Sequence, residues 1–120
     1  NIQFGRTFTD HMFEADFYDG EWRDAVIKPF SNISIHPSTF ALHYGQAIFE
    51  GMKAFRGEDG TIQLFRPEKN WKRFNESAVR MAMQEVPKDF FLNALDNLIG
   101  IDKEWVPHTE GASLYIRPLM

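Results

Sequence analysis

The chain has 120 residues, a formal net charge of -4, and 43% hydrophobic and 25% charged residues. This length and composition predict one folded domain with a single core and exclude a disordered chain. The acidic balance gives no electrostatic support for a nucleic-acid partner or an anionic membrane. Without cysteine, disulfides and thiolate zinc sites are excluded. With neither a bilayer-spanning apolar run nor a signal-peptide pattern, we expect a cytoplasmic protein.

Two hairpins are predicted in the first half of the chain. Apolar and polar residues alternate on both sides of Asp19-Gly20, and this pair suits the positive φ angles of a tight hairpin turn. A second hairpin pairs residues 50–56 with 61–65 around a loop that has glycine at both ends. Less regular segments are predicted as an arm at 1–10, a connector at 30–40 with a short strand at 33–35, and a helical turn at 42–49.

Two helices and a returning strand are predicted in the second half. Pro67 suits the first turn of a helix, and apolar residues at helical spacing extend that helix over 67–83. A second helix is predicted over 87–99, with Gly100 ending it. A loop then leads to residues 112–119, which alternate as a strand. The pattern predicts an α+β fold of two layers, a mainly antiparallel sheet of hairpins with two helices packed on one side.

Charged and phenolic side chains could form a site for a small anion. Arg73 lies on the flank of the first predicted helix and could bind a phosphate through two parallel charge-assisted hydrogen bonds. A solvated helix flank explains the same pattern. Tyr115 and Arg117 share one face of the last strand and could bind a carboxylate, although a solvated strand face is again the alternative.

Tyr44, Phe49 and Gly51 form a third candidate group. Two aromatic walls around a glycine suit an apolar side-chain pocket, while core aromatics and a turn glycine are the simpler interpretation. Dinucleotide-binding, P-loop, zinc-protease and nucleophile-elbow motifs are all missing from the sequence. The 4 histidines lack metal-ligand spacing, so no metal site is expected. From the residues alone, the prediction stops at an α+β domain with a possible anion site.

Several stretches resemble the branched-chain amino acid aminotransferase family. They are FGRTFTDHM at 4–12, LHYGQAIFEGMKAF at 42–55, LFRPEKNWKRFNESA at 64–78 and LYIRPL at 114–119. One departure is Gln84, where the family pattern has proline. The resemblance implies a fold-type IV enzyme that uses pyridoxal 5′-phosphate to exchange an amino group between leucine, isoleucine or valine and 2-oxoglutarate or glutamate.

The resemblance also implies a role for each candidate residue. Arg73 would anchor the phosphate of the cofactor. Phe49 and Gly51 would line the substrate pocket. Tyr115 and Arg117 would meet the carboxylate side of the substrate. With the resemblance, these functional roles are favoured over the simpler interpretations as solvated surface residues or core residues.

The resemblance further implies a domain and subunit organisation. Residues 1–120 would be the single N-terminal small domain, and the Schiff-base lysine would lie in a larger C-terminal domain absent from this chain. No lysine here matches that motif, so the chain alone is expected to be inactive. Tyr44 would reach into the site of a neighbouring subunit, which implies a homodimer. A D-amino acid aminotransferase, an aminodeoxychorismate lyase and a non-catalytic interaction module remain as alternatives.

Overall fold

The structure is a computed structural model that describes residues 2–120, so position 1 of the predicted arm lies outside it. Its elements, in chain order, are β1 His11–Tyr18, β2 Glu21–Pro29, α1 Phe40–Tyr44, β3 Met52–Arg56, β4 Ile62–Leu64, α2 Pro67–Arg80, α3 Lys88–Ile101, a 3-10 turn Lys103–Trp105 and β5 Leu114–Ile116. Within residues 2–120, no helix is long and apolar enough to cross a membrane.

The first predicted hairpin is confirmed. β1 and β2 pair antiparallel around Asp19 and Gly20, whose φ angles are 52° and 80°. The pairing register shifts once, between Glu14 and Asp16. Opposite this shift, Asp24 in β2 has a φ of 55°, as expected where a bulge adds one residue to a strand. The hairpin forms a sheet of its own, separate from the other strands.

The second hairpin is also confirmed, and β5 joins it to give the strand order β4-β3-β5. β3 lies in the centre and pairs antiparallel with both neighbours. Met52 and Ala54 of β3 are buried, whereas the alternate residues Lys53 and Phe55 are exposed. Pairing continues past β5 through a bridge between Phe49 and Leu119. Only the centre of the predicted strand 112–119 is therefore regular.

The ends of the two long helices differ from their predicted positions. α2 ends at Arg80 rather than at residue 83, because Ala82 adopts a φ of 55° and the Met83 N–H bonds back to the carbonyl of Ala78 at 2.7 Å. This is the hydrogen bonding of a Schellman ending, with alanine in the place that glycine usually occupies. Gly100 was predicted to end α3, but it lies inside the helix.

Two shorter predictions also change. Residues 33–35 form no strand; they belong to an exposed segment without regular structure. The helical turn predicted over 42–49 is α1, which begins earlier and ends at Tyr44. Gly45 ends it with a φ of 64°, and its N–H bonds to the carbonyl of Phe40.

One hydrophobic core joins β3 to α2 and α3. The Phe74 and Phe91 rings lie 5.7 Å apart between centroids. The β1–β2 hairpin packs on α3, where the rings of Phe13 and Trp22 contact Phe90. The buried core residues are Ile48, Met52, Ala54, Phe74, Ala78, Val86, Phe91, Leu95, Ile99 and Val106. The predicted α+β class is confirmed, with the strands in two sheets.

Candidate functional site

The segment that leads into β3 runs between the end of the chain and α2. Its backbone pairs with residues 118–120: the Glu50 N–H donates to the carbonyl of Pro118 at 2.9 Å, and Ile48 and Met120 exchange two hydrogen bonds of 2.8 and 2.9 Å. The segment therefore holds Phe49, Glu50 and Gly51 at fixed positions beside β5. Its other side faces α2.

Arg73 of α2 pairs with Glu50 across this gap. The guanidinium donates from Nε to Glu50 Oε1 and from Nη2 to Oε2, the second bond being 2.8 Å long. The Glu50 side chain is only 3% exposed, whereas that of Arg73 is 66% exposed. The bonds from Arg73 hold the pKa of the Glu50 carboxyl below its ordinary value, and the carboxylate raises the pKa of Arg73. The pair is ionised at neutral pH.

Two further donors complete the surroundings of the Glu50 carboxylate. Asn70 Nδ2 donates to Oε2 at 3.1 Å, and the Gly51 N–H donates to the same oxygen at 3.2 Å. A buried charge is costly unless it is paired and hydrogen-bonded, and this carboxylate is both. Asn70 also reaches the Gly51 carbonyl at 3.3 Å, so it ties α2 to the same peptide.

Gly51, Tyr115, Arg117 and Phe49 form a second, contiguous group. A Cβ atom on Gly51 would lie 2.9 Å from Cζ of Tyr115 and closer still to its phenolic oxygen, so only glycine leaves room for this phenol. Arg117 Nη2 donates to Tyr115 Oη at 2.8 Å. The Arg117 guanidinium also lies 4.5 Å from the centre of the Phe49 ring, a cation–π arrangement.

The structure thus brings five of the predicted site residues together and leaves one apart. Arg73 connects to the Tyr115 group through Glu50 and Gly51. Tyr44 lies on α1, 77% exposed, with its ring against Phe40 at 5.2 Å between centroids. The described contacts of its ring are with Phe40 and His43 of the same helix.

A groove of about 630 Å³ runs along the outer face of the three-stranded sheet beside this group. The residues that line it include Gly51, Asn70, Tyr115, Lys53 and Phe65. The Lys53 ammonium, the Tyr115 phenol and the exposed Phe65 ring around this groove suit a small ligand that has both an anionic group and an apolar part. The Arg117 guanidinium is hydrogen-bonded to that phenol.

Sequence reasoning missed Glu50 and Asn70. A signal was available for Asn70, because it precedes Arg73 by one helical turn and so shares its face of α2. Glu50 lies within an otherwise apolar run from Ile48 to Met52, where an acidic residue needs a partner. The identity of that partner is set by the fold, since Glu50 and Arg73 are 23 positions apart.

No family model matches the chain. Branched-chain-amino-acid aminotransferase 2 of Bacillus subtilis (strain 168) is 46% identical over 120 residues, which cover 99% of this chain and 33% of that protein. The cytosolic branched-chain-amino-acid aminotransferase of Rattus norvegicus is 49% identical over 119 residues, 98% of this chain and 29% of that protein. By sequence, nearly the whole chain resembles branched-chain-amino-acid aminotransferases. It spans about a third of the length of these curated relatives.

A solved structure shows the same fold. The branched-chain amino acid aminotransferase from Thermobaculum terrenum, determined in its PLP form, superposes with a TM-score of 0.60 and 23% sequence identity. The superposition covers 78% of this chain and 29% of that one. The resemblance to this aminotransferase family is therefore confirmed by sequence, and the fold agrees with it.

Proposed function

We propose that the full-length protein transfers the amino group of leucine, isoleucine or valine to 2-oxoglutarate with pyridoxal 5′-phosphate, and that residues 1–120 form its N-terminal small domain. The observation that carries this proposal is the 46% identity to a branched-chain-amino-acid aminotransferase over 99% of the chain. The side chains around Gly51 support it, because they combine an anion-binding cation with an apolar wall.

The donor set of this chain fits the phosphate of that cofactor. The Arg73 guanidinium is 66% exposed, and Glu50 occupies only its Nε and Nη2 edge. The other edge, formed by Nη1 and the second hydrogen of Nη2, remains for a further anion, and two parallel N–H donors match a phosphate. We propose that Arg73 anchors the phosphate. When bound, pyridoxal phosphate acts as the electron sink for bond breaking at the amino-acid α-carbon.

The Tyr115 group suits an α-amino acid that has an aliphatic side chain. Tyr115 Oη accepts a hydrogen bond from Arg117, so its own hydrogen points elsewhere and can be donated to a carboxylate oxygen. The Arg117 cation lies beside the Phe49 ring, where it adds charge attraction to that carboxylate. We propose that Tyr115 and Arg117 bind the substrate carboxylate side, while Phe49 and Gly51 line the pocket for the side chain.

Tyr44 has a different place in the proposal. Its ring, the Phe40 ring and the aliphatic side chain of Leu42 on α1 leave an apolar surface exposed, and such surfaces are usually covered by protein. We propose that the full-length protein is a cytoplasmic homodimer in which Tyr44 contributes to the site of the partner. A cross-linking or light-scattering measurement that finds only monomers would refute the dimer.

The test uses the full-length protein and leucine with 2-oxoglutarate as substrates. We expect glutamate formation, and we expect Arg73→Ala to weaken pyridoxal phosphate binding about ten-fold or more, as for loss of charge-assisted hydrogen bonds. Arg80→Ala, at an exposed position of the same helix, is the matched control and should bind as the wild type does.

The outcomes separate the alternatives. Turnover of D-amino acids but not of leucine would indicate another fold-type IV enzyme. Absence of both turnover and cofactor binding in the full-length protein would favour a non-catalytic interaction module, and the proposed function would be wrong.

A further inference from the structure

We propose that Glu50 is the positioning residue of the phosphate anchor: it fixes the Arg73 guanidinium so that one edge stays directed at the cofactor phosphate. This inference rests on the proposed function. It assigns a role to a buried carboxylate that neither the sequence pattern nor the substrate groups account for.

The first step concerns how completely the carboxylate is used. Its two oxygens accept from Arg73 Nε, Arg73 Nη2, Asn70 Nδ2 and the Gly51 N–H. Three of these donors meet Oε2 and one meets Oε1, and the side chain is only 3% exposed, so burial and these bonds together keep a ligand from reaching the carboxylate. Glu50 therefore acts on the ligand only through the groups that it holds.

The second step concerns the exposure of Arg73. A side chain that is 66% exposed and unpaired would sample many rotamers, and binding a phosphate would have to order all of them. The two bonds to Glu50 order it in advance, because Glu50 is itself fixed by its backbone bond to Pro118. Prior ordering of a long side chain raises affinity by reducing the entropy lost on binding.

The third step sets this effect against simple electrostatics. Glu50 neutralises the charge of Arg73, so a purely Coulombic account predicts that removing the negative charge would strengthen phosphate binding. Positioning predicts the opposite sign. Because water screens an exposed guanidinium, the Coulombic gain is small, and we expect the loss of order to dominate.

The experiment compares Glu50→Gln with wild type in the full-length protein, by titrating cofactor-free protein with pyridoxal phosphate and, separately, with pyridoxal, which lacks the phosphate. Glutamine keeps the size of Glu50 but turns an amide NH₂ toward the Arg73 donors. The preference for pyridoxal phosphate over pyridoxal should fall about ten-fold, as for a lost hydrogen bond to a charged group. Glu76→Gln, exposed on α2, is the control and should keep the preference.

Other outcomes overturn the proposal in recognisable ways. If Glu50→Gln weakens both ligands equally, Glu50 is merely structural; if the preference rises, the Coulombic account is correct. Should Glu50→Gln not fold, Asn70→Ala removes one donor to the same carboxylate and should lower the preference about three-fold, and an unchanged preference would refute positioning. A wild-type protein without any preference for pyridoxal phosphate would instead refute the proposed function itself.

Discussion

Replacing Gly51 with alanine tests whether the contact between this residue and Tyr115 organises the candidate site. The backbone of Gly51 is not in the left-handed region, so alanine meets no conformational strain there. The whole cost comes from the added methyl group. That group would lie 2.9 Å from Cζ and 3.3 Å from Cε2 of Tyr115, and nearer still to Oη. Real Cβ atoms essentially never approach within 3.0 Å of a neighbour, so the phenol has to move.

The size of the effect follows from two opposing terms. Forcing an extra methyl group into a filled space costs about 1–3 kcal/mol. Replacing glycine by alanine returns about 0.4–1 kcal/mol, because the unfolded chain becomes less flexible. We therefore expect Gly51→Ala to lower the free energy of unfolding by about 1–2 kcal/mol. Displacing the phenol also breaks its 2.8 Å bond from Arg117, so under the proposed function the KM for leucine should rise.

The assay is a double-mutant cycle in the full-length protein, measured by urea unfolding. In a Tyr115→Ala background the ring is gone, and Gly51→Ala should become neutral or slightly stabilising. Gly57→Ala, at a loop position where a Cβ would meet its nearest atom at 3.1 Å, controls for a milder contact outside the site. If Gly51→Ala costs the same with and without the Tyr115 ring, the close approach has no energetic importance and this reasoning is wrong.

Three further predictions concern other parts of the fold. Ala82→Gly should stabilise the protein by about 0.5–1 kcal/mol, because alanine is strained at a φ of 55°; a lower midpoint in urea would contradict this. Asn75→Ala should lower the free energy of unfolding by about 1–3 kcal/mol, because the buried N–H of Val86 loses its acceptor, whereas the Val86 carbonyl keeps the bond from Trp71. Asn93→Ala, at an exposed position, is the control, and equal effects of the two substitutions would refute this prediction. Glu50 has a lowered pKa when folded, so it stabilises the fold above about pH 4.3, and this contribution is lost as the pH falls further. Glu50→Gln should remove that part of the acid sensitivity in urea unfolding at a series of pH values, and an unchanged pH dependence would contradict the assignment.

Local signals predicted the fold well where one residue type decides the backbone. Asp19-Gly20 gave the first turn, and Pro67 gave the start of α2, because both effects act within a few residues. The failures occur at the ends of the two long helices, where the residues depart from the usual preference for glycine. Glycine usually ends a helix, but α3 continues past Gly100 until the Asp102 N–H bonds to Leu98. Alanine rarely adopts a positive φ, yet Ala82 does so at the end of α2.

The candidate site was predictable in its chemistry but not in its connections. Period-two spacing placed Tyr115 and Arg117 on one strand face, and their side chains do meet. Arg73 was expected as an isolated cation on a helix flank, whereas it is paired with Glu50. The pairing depends on how α2 packs beside the segment before β3, and its two partners are 23 positions apart in the chain. The site roles of these residues stay predictions.

The candidate site is open to solvent, whereas the proposed chemistry requires a site that excludes water. Arg73, Phe49 and Arg117 are all exposed. Small-ligand sites usually enclose most of the ligand, because hydrogen bonds and ion pairs strengthen when water is excluded. In their proposed roles, these side chains would orient a phosphate and a carboxylate but would not shield either from solvent. Under the proposed function, we expect the covering surface to come from the rest of the proposed full-length protein and from the proposed partner subunit. The relative that is 46% identical supports this, because the chain spans only 33% of its length.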